Sequence, residues 1–227
     1  MIFPDVAFWE GTIDFNVMKS KTDYVILKAS QFYVDPQFER NRSECERVGL
    51  PFGAYHFYDD RMSPLRQAIL FCGLFTGRQK PVEIFCDWEN EYRGEFGGIK
   101  NVVAFMQECE KRMSMEMGMY TGYYWFMEKT NPILNFSQLN YLKTKKLWLA
   151  SYNDDYSNEG ALFVKVPRPW KKMDIWQFTD RADGKAYGCQ SAELDMNERL
   201  SQIEIPGPQP RGSRMIFSTG ETYTERL

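Results

Sequence analysis

The chain has 227 residues, 43% of them hydrophobic and 26% charged, which is the composition of a globular protein rather than a disordered, collagen-like or membrane-embedded one. Lys and Arg total 28 against 31 Asp and Glu, a net charge of −3, so there is no basic field of the kind that nucleic acid or an anionic membrane attracts. No nucleic-acid partner and no membrane insertion are expected, since the longest uncharged stretches (67–77 and 117–127) fall short of the roughly 18 to 20 apolar residues that span a bilayer.

Short runs of β-branched and aromatic residues alternate with longer amphipathic, charge-bearing stretches, the pattern of β/α units around a mostly parallel sheet. In chain order the strands are expected at Ile2 to Ala7, Tyr24 to Ala29, Phe52 to Phe57, Val82 to Asp87, Met117 to Thr121, Leu147 to Ser151, Asp174 to Phe178 and Ala192 to Met196. Helices fit Pro36 to Val48, Pro64 to Phe75, Ile99 to Met113 and, with a weaker pattern, Pro132 to Tyr141, each opening near a proline or glycine. The run Met113, Met115, Met117, Met119 reads as a helix end entering a strand. Between Asn153 and Trp170 the sequence is loop-like, and little room remains for helices between the last three strands, so the barrel is expected to be irregular. The expected organisation is a single α/β barrel domain over 1–205, followed by a linker-like, polar C-terminal tail over 206–227 that opens Pro206-Gly207-Pro208-Gln209-Pro210.

The five cysteines (Cys45, Cys72, Cys86, Cys109, Cys189) are scattered and lack any CxxC spacing, which indicates neither a disulfide framework nor a zinc site and reads as buried thiols. His56 is the one histidine, so multi-histidine metal sites are excluded, and chemistry without metal or cofactor is expected. The N-terminus carries Asp5 and Glu10 where a signal peptide would carry basic and apolar residues, so export by that route is not expected.

In a β/α barrel the working residues gather at the C-terminal ends of the strands. Here those ends carry Asp5, then Tyr55 and His56, then Asp87-Trp88-Glu89, then Tyr120, Tyr152, Gln177 and Asp195. Strand alternation puts Asp87 and Glu89 on one side and turns Trp88 towards the helices. Closure makes the first and last strands neighbours, bringing Asp5 beside Asp195. Acids gathered this closely cannot all ionise cheaply, so at least one holds a proton near neutral pH while another stays anionic, which is the equipment of glycoside cleavage. Tyrosine rings can lie along sugar faces while their hydroxyls hydrogen-bond. Tyr55, Tyr120, Tyr152 and Gln177 are the candidate sugar contacts. His56 joins them, although hydrogen-bonded structural support is the commoner role of a lone histidine at a strand end. Trp148 and Trp176 are assigned to packing, and Glu91 and Glu95 with Gly94, Gly97 and Gly98 to a solvated loop that borders the cleft.

The order and identity of these pieces resemble the lysozymes of glycoside hydrolase family 25, which include many phage endolysins. The matching residues begin with Pro4-Asp5-Val6, Trp9-Glu10-Gly11, Ile13-Asp14-Phe15, Lys28-Ala29-Ser30 and Asp35-Pro36. They continue with Gly53-Ala54-Tyr55-His56-Phe57, Gln67-Ala68, Asp87-Trp88-Glu89, Tyr120-Thr121-Gly122, Trp176-Gln177 and Leu194-Asp195-Met196-Asn197. Ala7 stands where the family often has serine, and Ser30-Gln31 replaces the commoner continuation after Lys-Ala, differences that bear on substrate contacts. The resemblance implies a TIM-like barrel of five β/α units followed by three strands, (β/α)5(β)3. It also implies hydrolysis of the β-1,4 bond between N-acetylmuramic acid and N-acetylglucosamine in peptidoglycan glycan strands, with retention. By position Glu89 is then the general acid/base, with Asp5, Asp87 and Asp195 in the other acidic places; attack by an aspartate and attack by the substrate's own acetamido group both remain open. Synthesis in the cytoplasm without a signal peptide, with release through a holin or delivery in a particle to the bacterial wall, completes this picture. The alternatives are a non-catalytic glycan-binding barrel in a virion or wall-anchoring assembly, and a retaining hydrolase of chitin-like polymers.

Overall fold

A computed structural model of the chain describes residues 1–130, 134–152, 161 and 164–201. Eight strands close into a barrel in sequence order: β1 (Ile2–Val6), β2 (Val25–Ser30), β3 (Phe52–Phe57), β4 (Ile84–Asp87), β5 (Met117–Gly122), β6 (Leu147–Ala150), β7 (Ile175–Asp183) and β8 (Glu193–Arg199). Each neighbouring pair from β1 to β7 is parallel, and β8 runs antiparallel to both β7 and β1. Helices follow the first five strands: α1 (Phe15–Lys21), α2 (Phe38–Val48), α3 (Pro64–Gly73), α4 (Ile99–Met113), then α5 (Tyr123–Thr130) and α6 (Phe136–Leu142). This is the (β/α)5(β)3 barrel expected from the sequence, a single mixed α/β domain.

Local chemistry explains the helix ends. The Asp14 carboxylate accepts the Asn16 N–H at the start of α1, and Pro64 occupies the first position of α3, where its missing N–H costs nothing. At α6, Asn135 and Gln138 exchange hydrogen bonds in a capping box, and Gly49 ends α2 in the left-handed conformation. Some elements differ from expectation. α1 and α5 fall in segments expected to hold no helix, and β7 runs on past Phe178 to Asp183, with register shifts after Gln177 and Thr179 that let its polar end bend into a hairpin with β8. The weak helix expected from Pro132 begins at Phe136, and residues 131–133 lie outside the described residues. Most of the loop-like Asn153 to Trp170 stretch lies outside them too, as does all of 206–227.

Side chains alternate between two cores. The barrel interior is filled by Phe3, Tyr24, Ile26, Tyr55, Phe85, Tyr120, Trp148 and Ile175, and the opposite faces of the strands pack against the helices. At the N-terminal end of the parallel strands, a polar plug closes the interior: Glu83 pairs with Arg199 and accepts from the Tyr24 hydroxyl at 2.6 Å and the Lys146 ammonium at 3.1 Å. Burying these charges is tolerable only because each is paired. The five cysteines are free and buried. Among the described residues no helix is long and apolar enough to cross a membrane.

Gly118 on β5 shows how tightly the interior is filled. A Cβ placed there would stand 2.5 Å from the Phe85 ring, so a glycine is required by close approach. Gly118→Ala is expected to lower stability by about 1–3 kcal/mol through overpacking. Urea denaturation, showing a lower midpoint at unchanged slope, checks this.

Candidate active site

The mouth of the barrel lies at the C-terminal ends of the parallel strands, and the interior-facing residues there are mostly acids. Asp5 is the penultimate residue of β1, and the antiparallel register pairs it directly with Asp195 of β8. Because β8 runs the other way, Asp195 reaches the mouth from the start of that strand, and β8 then continues down the barrel through Asn197 to Arg199. Asp87 ends β4, Trp88 turns outward and is fully buried against Trp125 and Phe126, and Glu89 returns to the mouth with its side chain open to solvent.

A hydrogen-bond chain fixes the floor of this bowl. Asp5 Oδ2 accepts from Gln177 Nε2 at 3.0 Å and from Asn197 Nδ2 at 2.8 Å. Gln177 Oε1 in turn accepts from the Tyr120 hydroxyl at 2.7 Å and the Tyr152 hydroxyl at 2.8 Å, and Asn197 Oδ1 from Trp148 Nε1 at 2.7 Å. These donations fix the orientation of both amide side chains: each presents N–H groups to Asp5 because its oxygen is already occupied. Trp148 therefore does more than pack, since its ring lies against Tyr55, Tyr120 and Phe85 while its N–H orients Asn197. Trp176 points outward and donates to the Ser151 carbonyl at 2.8 Å.

The electrostatics follow from burial and crowding. Burial raises Asp5 to about 6, against the opposing pull of the Asn197 and Gln177 hydrogen bonds. Burial and the charges of Asp5 and Glu10 raise Asp195 to about 9. Asp87 is pushed well above the usual carboxylate range by burial and by Glu89, and its Oδ1 is buried with no hydrogen-bond partner. Glu89 is raised by the surrounding protein and by Asp5, while the Tyr120 hydroxyl and Lys28 hold it back. The bowl thus holds protonated and ionised carboxyls together at neutral pH, as general acid/base chemistry requires.

Sequence reading missed two residues that shape this field. Lys28, facing inward from β2, is the cation that lowers both Asp87 and Glu89. The available signal was its alternation with the inward-facing Ile26. Glu10, in the turn after β1, accepts the Ala7 N–H and is raised to about 7 by burial and by Asp5 and Asp35, adding a fifth carboxyl to the mouth. The Glu91 loop borders the cleft but is tied down: Glu91 bonds the Gly98 N–H and pairs with Lys129, and Asp60 accepts the N–H groups of Tyr92 and Gly94. No group of three or more His, Cys, Asp or Glu side chains among the described residues is placed to hold a metal ion.

The structure brings Asp5, Asp87, Glu89, Asp195, Tyr55, Tyr120, Tyr152 and Gln177 to one mouth, but not His56. That ring is fully buried on the outer face of β3, bonded to Ser30 Oγ at 2.8 Å and Gln67 Oε1 at 2.9 Å, and burial lowers its pKa to about 4. It joins β2, β3 and α3 and has no access to the bowl; alternation along β3 points Tyr55 in and therefore His56 out.

Acids and tyrosines converging at the C-terminal mouth of a barrel are the equipment of a glycoside hydrolase. The chain belongs to the glycosyl hydrolases family 25, whose model matches residues 4–186. It is similar to the catalytic domain of endolysin ply40 from bacteriophage P40 of Listeria monocytogenes, with a TM-score of 0.69, 19% identity, and coverage of 88% of this chain and 93% of that one. The bacterial lysozyme of Streptomyces coelicolor gives a TM-score of 0.70 at 19% identity, covering 88% and 92%. A curated relative from Escherichia coli, the uncharacterized protein YegX, is 26% identical over 188 residues, which span 78% of this chain and 62% of the relative's length.

The raised Asp195 has a signed consequence. Its folded value near 9 exceeds the ordinary 3.8, so the native state keeps a proton that the unfolded chain releases. The group therefore costs stability as pH rises from about 4, and the cost levels off above about 9. Relative to the parent, Asp195→Asn is expected to gain about 4 °C or more in Tm between pH 5 and pH 9. Thermal unfolding of both proteins at the two pH values checks it.

Proposed function

We propose that this protein is a peptidoglycan hydrolase, a 1,4-β-N-acetylmuramidase acting on the bacterial cell wall. In this reading it cleaves the bond between N-acetylmuramic acid and N-acetylglucosamine with retention. The observation that carries the reading is the convergence of Asp5, Asp87, Glu89 and Asp195 on one mouth, in a chain of glycosyl hydrolases family 25. A barrel that only bound glycan would gain nothing from gathering acids whose mutual repulsion and burial cost stability.

Glu89 is the general acid/base. It is open to solvent at the mouth, where a glycosidic oxygen can reach it, and its pKa is raised, the direction a proton donor needs. The Tyr120 hydroxyl, which counters the rise in the Glu89 pKa, donates to Gln177 Oε1 and so belongs to the hydrogen-bond chain of the bowl. As the leaving oxygen takes the Glu89 proton, positive charge develops at the anomeric carbon, and the carboxyls on the facing wall stabilise it. The unpartnered Asp87 Oδ1 favours the substrate-assisted route, because an acetamido N–H of the substrate would satisfy it while the acetamido oxygen attacks. Water then opens the intermediate with Glu89 as base, which accounts for retention. Tyr55, Tyr152 and Gln177 position the sugar.

Glu89→Gln is expected to keep the fold and lower turnover of purified peptidoglycan by at least ~10³-fold in a turbidity assay. Mass spectrometry of the parent's products should place the new reducing end on muramic acid. Full clearing by the variant, or a new reducing end on glucosamine, refutes the assignment, and activity confined to soluble chitin oligosaccharides would favour the chitin-like substrate class.

A further inference from the structure

A cavity of about 480 Å3 lies beside the acidic bowl and shares the Lys28 side chain with it as a common wall. None of the catalytic steps above uses it. Its other walls are mainly apolar: Phe8, Phe32, Tyr33 and Pro36, with Arg61 across from them. The volume falls within the usual range for small-molecule sites, and the lining of apolar surface with a few charged groups is typical of them.

The charged groups around this cavity are not balanced in their needs. Each Asp35 oxygen already accepts a backbone N–H, Oδ1 from Gln37 at 2.9 Å and Oδ2 from Phe8 at 3.1 Å. Asp59 accepts from Arg61 Nε and Nη2 at 2.8 and 2.6 Å and from Gln31 at 3.2 Å. The donors, by contrast, have capacity to spare. Lys28 carries three ammonium hydrogens and makes one long hydrogen bond, 3.4 Å to Gln31, with its ammonium 4.9 Å from the Phe57 ring centroid and its charge shared with Asp87 and Glu89. Arg61 has five N–H donors, is half exposed, and is stacked 5.4 Å from the Phe32 centroid and 4.2 Å from that of Tyr92, which holds its guanidinium plane still. A ligand for such a site has small apolar groups and a surplus of acceptors, as a short peptide with a free carboxylate does.

We propose that this cavity receives the peptide stem attached to the muramic acid unit, its apolar walls taking the small aliphatic side chains and Lys28 and Arg61 the free carboxylate. The inference rests on the peptidoglycan reading above and goes beyond it, because it makes the enzyme selective for glycan that still bears its peptides. The cavity's contact with the bowl through Lys28 lets one substrate occupy both at once.

The test compares three polymers: peptide-bearing glycan, the same glycan stripped of peptide by an amidase, and glycan whose stem carboxylate is amidated. The parent protein is expected to prefer the first over each of the others by about tenfold in kcat/KM, through KM rather than kcat, the scale of one charge-assisted hydrogen bond at a half-exposed site. Arg61→Gln is expected to remove most of that preference. Because Arg61 also neutralises the buried Asp59, Tyr33→Glu provides the control that folding cannot confound: Tyr33 is 76% exposed, and a negative charge at the rim should repel the same carboxylate. Equal KM on peptide-bearing and stripped glycan overturns the inference and leaves the hydrolase standing. So does equal KM on free and amidated stems, or an undiminished preference in Tyr33→Glu. Failure to cleave any of the three by folded protein overturns the hydrolase itself, and this inference with it.

Discussion

The geometry of the mouth depends on how the barrel closes. β8 enters between β7 and β1 in the antiparallel sense, and the register that results sets Asp195 against Asp5 and Asn197 one alternation below them. Antiparallel pairing places directly opposed residues about 4.5 to 5.5 Å apart at Cα, so two carboxyls are forced into proximity by the backbone itself rather than by flexible side chains. The same strand delivers Asn197 to hold Asp5 and Arg199 to neutralise Glu83 at the far end. One element thus supplies the acid at the mouth, the amide that orients its partner and the cation that closes the floor.

That closure creates an electrostatic problem which the neighbouring residues partly solve. Five carboxyls share a small volume, and Lys28 is the cation that moderates two of them, Asp87 and Glu89. Repulsion and burial are relieved by retaining protons, and the amide and phenol donors around Asp5 decide which carboxyl keeps its charge most readily. A site of this kind is costly to the fold and useful to chemistry for the same reason: its acids are held away from their solution behaviour. Rigidity comes from aromatic packing beneath, where Trp148, Tyr120, Tyr55 and Phe85 fill the barrel to the point that Gly118 can carry no side chain.

Much of the framework was legible along the chain. The eight strands fall within a few residues of where alternation and β-propensity put them, and Ile99–Met113 is the helix its pattern describes. α5 was missed because Tyr123, Tyr124, Trp125 and Phe126 are residues that favour strands; packing of Trp125 and Phe126 against Trp88, and of Phe126 against Trp170, holds them helical. α1 spans seven residues, too few for periodicity to register, although Asp14 marked its start. Asp5, Asp87, Glu89 and Asp195 were visible because each stands at or just beyond the end of an expected strand, whereas Glu10 lies in a turn and was not. His56 misled for the same reason: it too stands near a strand end, and the alternation that turns it outward was decisive.

What the sequence determined by itself was the class of fold and the inventory of acids, since strand and helix periodicities are local and Asp5, Asp87, Glu89 and Asp195 sit beside them. Only the tertiary structure decided which donors meet those acids, because Gln177, Asn197, Tyr120 and Lys28 come from four different strands whose contacts depend on the register of a closed sheet. The side cavity with Phe32, Tyr33 and Arg61 was likewise beyond the reach of sequence. Its walls come from the loops after β1, β2 and β3 together with Lys28 of β2, and their approach is fixed by barrel closure and not by any local preference.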